Sequence, residues 1–477
     1  MVNNMNELIT KLKNKTGLSS DYIYQKFIIE DEEVYLFFNE VLTSSIMIND
    51  FILKCLTKLK KEELPNLKNI IPDRNILIIE EKDIFKYIHN GYVTIITNNH
   101  IFAFEERAEL DRGIPEVRNE LSIGGPKDAF SENFNTNLGL IRTRIKSTNL
   151  EHFDIFIGRE TKTKVGVLYM KNIVDKDTLE QIKSRLSLID IDGIVDSSYL
   201  KENLEFKNNS FFPTVMSTER PDKSVMALLE GKVALIVDKS PYVLIMPNFF
   251  IDFFHTTDDY YQKPINTSFI RIIRILSFFI AIFIPALYIM ITTHNHDFIS
   301  LDLLLSLKAQ RESVPFSALT EAFFMMIAFE ILRESDLRMS STSGSAVSIL
   351  GGLILGDAAV SAGIISPIMI IVVAISAISG LVFNSIELVS AIRWWRFILM
   401  LLAAFSGIYG ILIGIVILIV KLVTIKSFNK PYLTPLYKFI KTEFKDYIIK
   451  SKNKGEKLRN PILTNNRKRG KYRWRRK

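Results

Sequence analysis

One carboxylate stands apart in this 477-residue chain. Asp357, in the stretch GDAAVSAGIISP (356–367), is the only charged side chain between Met339 and Ile386. An ionised group in lipid is costly, and by default it marks a water, ion or proton path. Two readings stay open from sequence alone. In the first, Gly356-Asp357 breaks a helix and Asp357 caps the next one, its carboxylate accepting amide hydrogens of the following turn. Gly351, Gly352, Gly356 and Gly363 then let helices approach closely. In the second, Asp357 faces a pore. On a helix starting there, Val360, Ser361 and Ile364 share its face by three- and four-residue spacing. Branched apolar side chains around a narrow passage close it by dewetting. Asp357, Val360, Ser361 and Ile364 are therefore the candidate pore and gate residues.

Other groups offer less. Glu321 and Glu330 lie in the apolar stretch PFSALTEAFFMMIAFEIL (315–332). Nine residues on a helix is about 900° of rotation, which puts them on opposite faces. They are expected either to pair with Arg333, Arg338 or Lys308, or to face water inside an assembly. His294, His296 and Asp297 in HNHD are ligand types without a partner motif. Cys55 is the single cysteine, so no intrachain disulfide can form, and it sits on the apolar face of an expected helix. No nucleophile–base pair, Walker A or dinucleotide-binding turn occurs, and GGP (124–126) alone is not one. No catalytic residue, metal or cofactor is expected.

The elements that position these groups fall into two halves. Hydrophobic residues make up 48% and charged residues 23%, near a soluble average that conceals the division. Ile275–Thr293 and Phe397–Val420 are uncharged and long enough, as helices, for about 30 Å of hydrocarbon. Tyr260 and Tyr261 suit a headgroup belt before the first run. Trp394 and Trp395 suit the opposite interface before the last. Pro367–Ile386 reads as a further span. Of 315–332 and 345–365, one is expected to cross and the other to re-enter or lie in the interface. A soluble N-terminal half and a basic tail favour the same side, so the crossings should be even in number, about four. Lys263, Arg271 and Arg274 agree with this orientation; Arg393 and Arg396 then fall outside, against the trend.

The first 265 residues carry an internal repeat. DIFKYIHNGYVTIITNNHIFAFE (83–105) and SVMALLEGKVALIVDKSPYVLIMP (224–247) share a helix ended by glycine (Gly91, Gly231), a strand, a polar turn and a second strand. KFIIEDEEVYLFF (26–38) and DIFIGRETKTKVGVLYM (154–170) read as hairpins, each followed by an amphipathic helix (49–60 and 177–188). The fold class expected is two related α/β subdomains (1–113 and 114–266), a helical transmembrane domain (267–425) and a basic tail (426–477). The N-terminus, MVNNMNELITKLKNKTG, has no apolar core of signal-peptide length, so export is not expected. Residues 451–477 hold twelve Lys or Arg against Glu456 alone. Such a tail after a span is drawn to anionic headgroups, with nucleic acid as the competing use.

Several long motifs resemble a known family. TERPDKSVMALLEGKVALIVDKSPYVLIMP (218–247), GGPKDAFSENFNTNLGLIRTRIKS (124–147), VPFSALTEAFFMMIAFEILRES and GDAAVSAGIISPIMIIVVAISAI occur in the order seen in A subunits of GerA-type spore germination receptors. The resemblance covers about 115–430. It implies no enzyme but a nutrient-gated receptor subunit in the spore inner membrane, with the soluble half and tail on the core side. It also implies a transporter-like B subunit, a lipoprotein C subunit and a homo-oligomeric ring conducting cations, with no nucleic-acid partner. A non-conducting relay between the B subunit and a separate channel is the alternative. The motif residues carried over are structural: Pro126, Arg220, Pro221, Asp222, Gly231, Pro241, Pro315 and Pro367. The chain departs from the family at Gly124 and Lys127, at TSGSA (342–346), and at Asp357, where glutamate is usual.

Overall fold

The computed structural model describes residues 5–70, 76–108, 115–205, 210–338, 351–352, 354–436, 448–450, 458–466 and 468–469. TSGSA (342–346) and most of the basic tail lie outside these.

The soluble half contains two five-stranded antiparallel sheets of one topology. Helix α1 (Met5–Thr16) precedes β1 (Tyr22–Ile29) and β2 (Glu32–Asn39). Their two-residue turn, Glu30-Asp31, has positive φ at both positions, matching the strands' twist. An irregular helix α2 (45–56), β3 (Leu77–Ile79), α3 (Ile84–Ile88), β4 (Tyr92–Ile96) and β5 (Ile101–Glu105) complete the first unit, in the order β1-β2-β4-β5-β3. The second unit repeats this with α4 (Phe134–Arg144), β6 (Leu150–Ile157), β7 (Thr163–Met170), α5 (Lys176–Ser187), α6 (Ser197–Glu205), β8 (Met216–Thr218), α7 (Pro221–Glu230), β9 (Val233–Val237) and β10 (Val243–Met246). Its order is β6-β7-β9-β10-β8.

Burial explains the sandwich. The central strand β9 is buried at every position. Val233, Leu235 and Val237 pack with Leu179, Ile182 and Leu200 of α5 and α6. Ala234 and Ile236 pack with Leu138, Ile141 and Leu228 of α4 and α7. A strand covered on both faces reads as a continuous apolar run. Gly91 (φ +81) and Gly231 (φ +100) end α3 and α7 in the left-handed conformation, as the repeat predicts.

The helical half comprises α8 (Pro264–Thr293), α9 (Leu301–Arg311), α10 (Ala318–Arg338), α11 (354–361), α12 (Pro367–Gly380) and α13 (Ile386–Thr424). Among the described residues, α8 and α13 are long and apolar enough to cross a membrane. The expected span Pro367–Ile386 is shorter than that: α12 stops at Gly380 after 14 residues, about 21 Å.

The expected single span Phe397–Val420 is a hairpin. Gly407 (φ +56, ψ −132) interrupts α13. A Cβ on Gly410 would overlap the Leu402 carbonyl, and one on Gly414 the Leu399 side chain. In a straight helix those pairs lie about 12 and 22 Å apart, so the two arms run antiparallel in close contact. Asn295 and His294 clasp the turn. Asn295 Oδ1 accepts from the Ile408 amide at 3.0 Å, and His294 Nε2 lies 2.7 Å from the Ala404 carbonyl.

The hairpin changes where the charges of α13 fall relative to the soluble half. The first arm starts against the second soluble unit, with Lys201 Nζ 2.6 Å from Glu387 and Trp394 stacked on Phe211 at 5.7 Å. Gly407 meets the distal end of α8. Arg393 therefore lies toward the soluble half, whereas Arg396 and Trp395 are buried in the bundle, Trp395 away from an interface. The second arm returns. β11 (Lys426–Ser427) and β12 (Lys430–Pro431) follow it, with the Ser427 hydroxyl donating to the Thr214 carbonyl and the Tyr432 hydroxyl to that of Pro213, each at 2.8 Å.

Candidate functional site at the junction and in the bundle

The motifs singled out in the sequence converge where the soluble half meets α8. Pro221 begins α7 with its fixed φ, and Asp222 sits in the positively polarised first turn. Arg220, the residue before, has extended backbone and a fully buried side chain. Its guanidinium forks onto Asp222 (3.0 and 2.8 Å) and also donates to the carbonyls of Glu120 (3.1 Å) and Pro126 (3.0 Å). Glu219 Oε1 gathers the amides of Arg118, Asn119 and Glu120. TERPD thus holds the loop 118–126.

The chain entering α8 closes on the same place. The Tyr261 hydroxyl donates to Asp222 Oδ2 at 2.7 Å. Its ring lies on Gly125 (φ +110), where a Cβ would overlap it. Asp258 Oδ1 accepts from the Ser122 hydroxyl and the amides of Ile123 and Gly124. Burial alone would raise the Asp222 carboxyl, but Arg220 and then Tyr261 outweigh it and hold it below the usual range. The Tyr261 phenol is pushed upward by burial and by the hydrogen bond to Asp222.

Asp259 fastens α8 itself. It accepts from Arg271 Nε (2.9 Å) and from Arg274 (2.9 and 3.0 Å), all three side chains being buried. Arg274 also donates to the Phe254 carbonyl at 3.0 Å, and Lys450 Nζ reaches the Asp259 carbonyl. Burial opposes ionisation of Asp259, yet the two arginines hold its carboxyl below the ordinary value. Charge-assisted bonds of this kind are short and directional, so the start of α8 cannot rotate independently of the soluble half. In the sequence, Arg271 and Arg274 counted only as topogenic charges. Their three-residue spacing on one helical face, downstream of an acid pair, was the available signal.

Inside the bundle the acids are neutralised within the chain. Glu321 accepts from the Ser366 amide (2.9 Å) and hydroxyl (2.8 Å), and Arg311 lies 3.3 Å away. Glu330 pairs with Arg393 at 2.8 Å and with Arg333, an expected partner, at 3.8 Å. Glu330 and Arg393 line an open groove of ≈ 490 Å³. Arg396, buried at mid-bundle, donates to the Ala281 carbonyl at 2.8 Å.

Asp357 does not cap a helix. It lies inside α11, and its side chain is exposed, as is that of Ser361. Val360 is half-buried. The helix ends soon after: Gly363 turns left-handed (φ +65) and the Ile364 amide bonds back to the Ala359 carbonyl at 3.0 Å. Ile364, though exposed, is therefore beyond the helix and not on its stripe. The remaining motif residues have local roles. Pro241 lies in the turn between β9 and β10, Pro315 precedes α10, and Pro367 begins α12.

The tail departs from a purely membrane-facing role. Arg469 pairs with Glu230 at 2.6 Å, Arg459 donates to the Leu229 carbonyl at 2.8 Å, and the Leu463 carbonyl abuts Gly231. These residues strap the end of α7. Among the described residues, no group of three or more His, Cys, Asp or Glu side chains converges, so HNHD serves the hairpin turn and assembles no such set.

Comparison with known proteins identifies the family. Residues 10–462 match the family model described as Bacillus/Clostridium GerA spore germination protein. Spore germination protein KA of Bacillus subtilis (strain 168) is 36% identical, covering 93% of this chain and 83% of the relative. Spore germination protein A1 of the same organism is 32% identical, with 94% and 92% covered. The crystal structure of the N-terminal domain of the A subunit of the Bacillus megaterium spore germinant receptor GerK3 matches 52% of this chain and 96% of that one, at 28% identity and a TM-score of 0.39. With one family matched over nearly its whole length, by a profile and by full-length relatives alike, the chain belongs to the GerA family of spore germination proteins.

Proposed function

We propose that this chain is the A subunit of a nutrient germinant receptor in the inner membrane of an endospore, and that copies assemble in a ring around a cation path. The observation that carries the reading is Asp357, an exposed carboxylate on a helix at the edge of an apolar bundle. Lipid does not solvate such a group. Water in a shared lumen does, and Val360 and Ser361 would line the same face, with Ile364 at its end. The soluble units (1–113 and 114–266) and the tail (426–477) stay on the core side, and the membrane unit spans 267–425. Partners are a transporter-like B subunit, a lipoprotein C subunit and lipid. The reading assigns the chain no reaction. Reconstituted chain in planar bilayers should conduct cations, and Asp357→Asn and Val360→Ala should change the current. Unchanged conductance in both variants removes the pore assignment.

A relay without conduction is the second reading, favoured by the junction. Asp259, Arg271 and Arg274 tie α8 rigidly to the unit that carries TERPD, which suits transmission of partner occupancy to another channel. Conductance by the purified chain without partners separates the two.

A further inference from the structure

The junction leaves an apolar surface uncovered. Leu121 and Ile123 are 74% and 96% exposed, although their loop is held firmly. The Glu219 carboxylate binds its first half and the Asp258 carboxylate its second. A loop fixed by two carboxylates, Glu219 buried and Asp258 half-buried, that displays branched aliphatic side chains to water is unusual without something to cover them.

What covers them follows from the neighbouring surface. Asp258 opens the short turn carrying Tyr260 and Tyr261, which leads directly into α8. There Ile265 is 82% exposed, and Phe269, Ile272, Leu276 and Phe279 are exposed after it. Their spacing of four, three, four and three residues makes one continuous helical stripe. Arg118 and Lys127 flank the loop in sequence, Lys263 immediately precedes α8, and all three are exposed. An aliphatic tip, neighbouring tyrosines, exposed cations and an aliphatic helical stripe together are the mixture that an anionic bilayer surface attracts.

We infer that the loop 119–125 is a second, monotopic membrane contact, with Leu121 and Ile123 seated in the headgroup–acyl boundary of an anionic bilayer beside the entry point of α8. The inference rests on α8 being a span. It adds a contact that the helix roots at Asp259, Lys201 and Thr214 do not supply: the loop meets the bilayer itself, so the tilt of the soluble half is set against the lipid surface as well as against the bundle. Since Arg220 and Glu219 hold the loop, the orientation of α7 is referred to the bilayer plane.

The test uses the full chain with Cys55→Ser and one new cysteine at a time, labelled with an environment-sensitive fluorophore and reconstituted in vesicles containing phosphatidylglycerol. Positions 123, 279 and 98 report on the loop tip, the α8 stripe and a distant turn. The label at Ile123→Cys should be blue-shifted, shielded from iodide, and quenched more by a shallow than by a deep lipid quencher. Phe279→Cys should respond to the deep quencher, and Asn98→Cys to iodide only. If position 279 responds and position 123 behaves like 98, the inference fails while the span stands. If 279 does not respond, the span fails and the inference falls with it. Shielding of 123 from iodide and lipid alike, with cross-linking between copies, assigns the surface to a second copy and overturns the lipid contact. A label at Leu121→Cys repeats the measurement if the Ile123 variant does not fold.

Discussion

Replacing Asp259 by asparagine should loosen the root of α8 without unfolding the soluble half. The carboxylate receives one hydrogen bond from Arg271 and two from Arg274, all within 3.0 Å, and both arginine side chains are less than a tenth exposed. Removing one partner of a buried ion pair leaves an uncompensated charge and costs about 3–5 kcal/mol. At about 1.4 kcal/mol per decade, the opening equilibrium at the junction should rise by roughly two to three and a half decades. Hydrogen exchange of the amides between 264 and 270 reads this directly, because local openings need not involve the whole fold. Protection there should fall by that factor while the β9 amides, Val233–Val237, keep theirs. The pH dependence follows with the same sign. The Asp259 carboxyl is lowered in the folded chain, so its stabilisation is present above the ordinary carboxylate range and is lost as pH falls through the lowered value. Unchanged protection at 264–270 in the asparagine variant would refute the clamp. An equal loss in β9 would show that the effect is global.

Three further outcomes are expected. His89 is buried and accepts a hydrogen bond from the Tyr22 hydroxyl when its facing nitrogen is unprotonated, 2.8 Å away; burial and then the Arg142 cation lower it to about 4. Unfolded histidine binds its proton first, so stability should fall as pH drops from about 6.5 to 4, by about 3 kcal/mol at the limit. His89→Gln should flatten a denaturant midpoint plotted over that window. Gly407→Ala forces a side chain into a conformation costing about 1–3 kcal/mol and against Asn295 and His294. Its melting temperature in detergent should drop, whereas Gly356→Ala, with only an ordinary contact to Ile370, should be neutral or stabilising by up to about 1 kcal/mol. Tyr261→Phe removes a hydrogen bond to the Asp222 carboxylate and should lower the thermal midpoint by the equivalent of about 1.5–3 kcal/mol.

The repeated unit was legible because its signals are local. Gly91 and Gly231 mark helix ends by conformation, and the strands after them are apolar runs between polar turns. β3 and β8 were not, since three-residue strands have too little pattern, and only pairing to β5 and β10 defines them. The hairpin in α13 was hidden by composition. Lipid-facing arms and their turn are equally apolar, so length alone suggested one span. The trace it left was Gly407, Gly410 and Gly414 on the contact face, small residues where two backbones meet. The junction was half visible. Pro221 and Asp222 announce a helix start, but that Arg220, Tyr261 and the 118–126 loop gather on Asp222 depends on packing across more than a hundred residues. Asp357 was found by its isolation, while its place near the end of a helix, and not at the start, depended on Gly363.

The central claim is that copies of this chain enclose water around Asp357. Its most direct test is single-channel recording from the purified, reconstituted chain, wild type against Asp357→Asn. The account predicts cation-selective openings from the wild type, with lower unitary conductance or selectivity when the charge is removed. An oligomer that is silent under the same conditions, or one whose currents ignore the substitution, contradicts it.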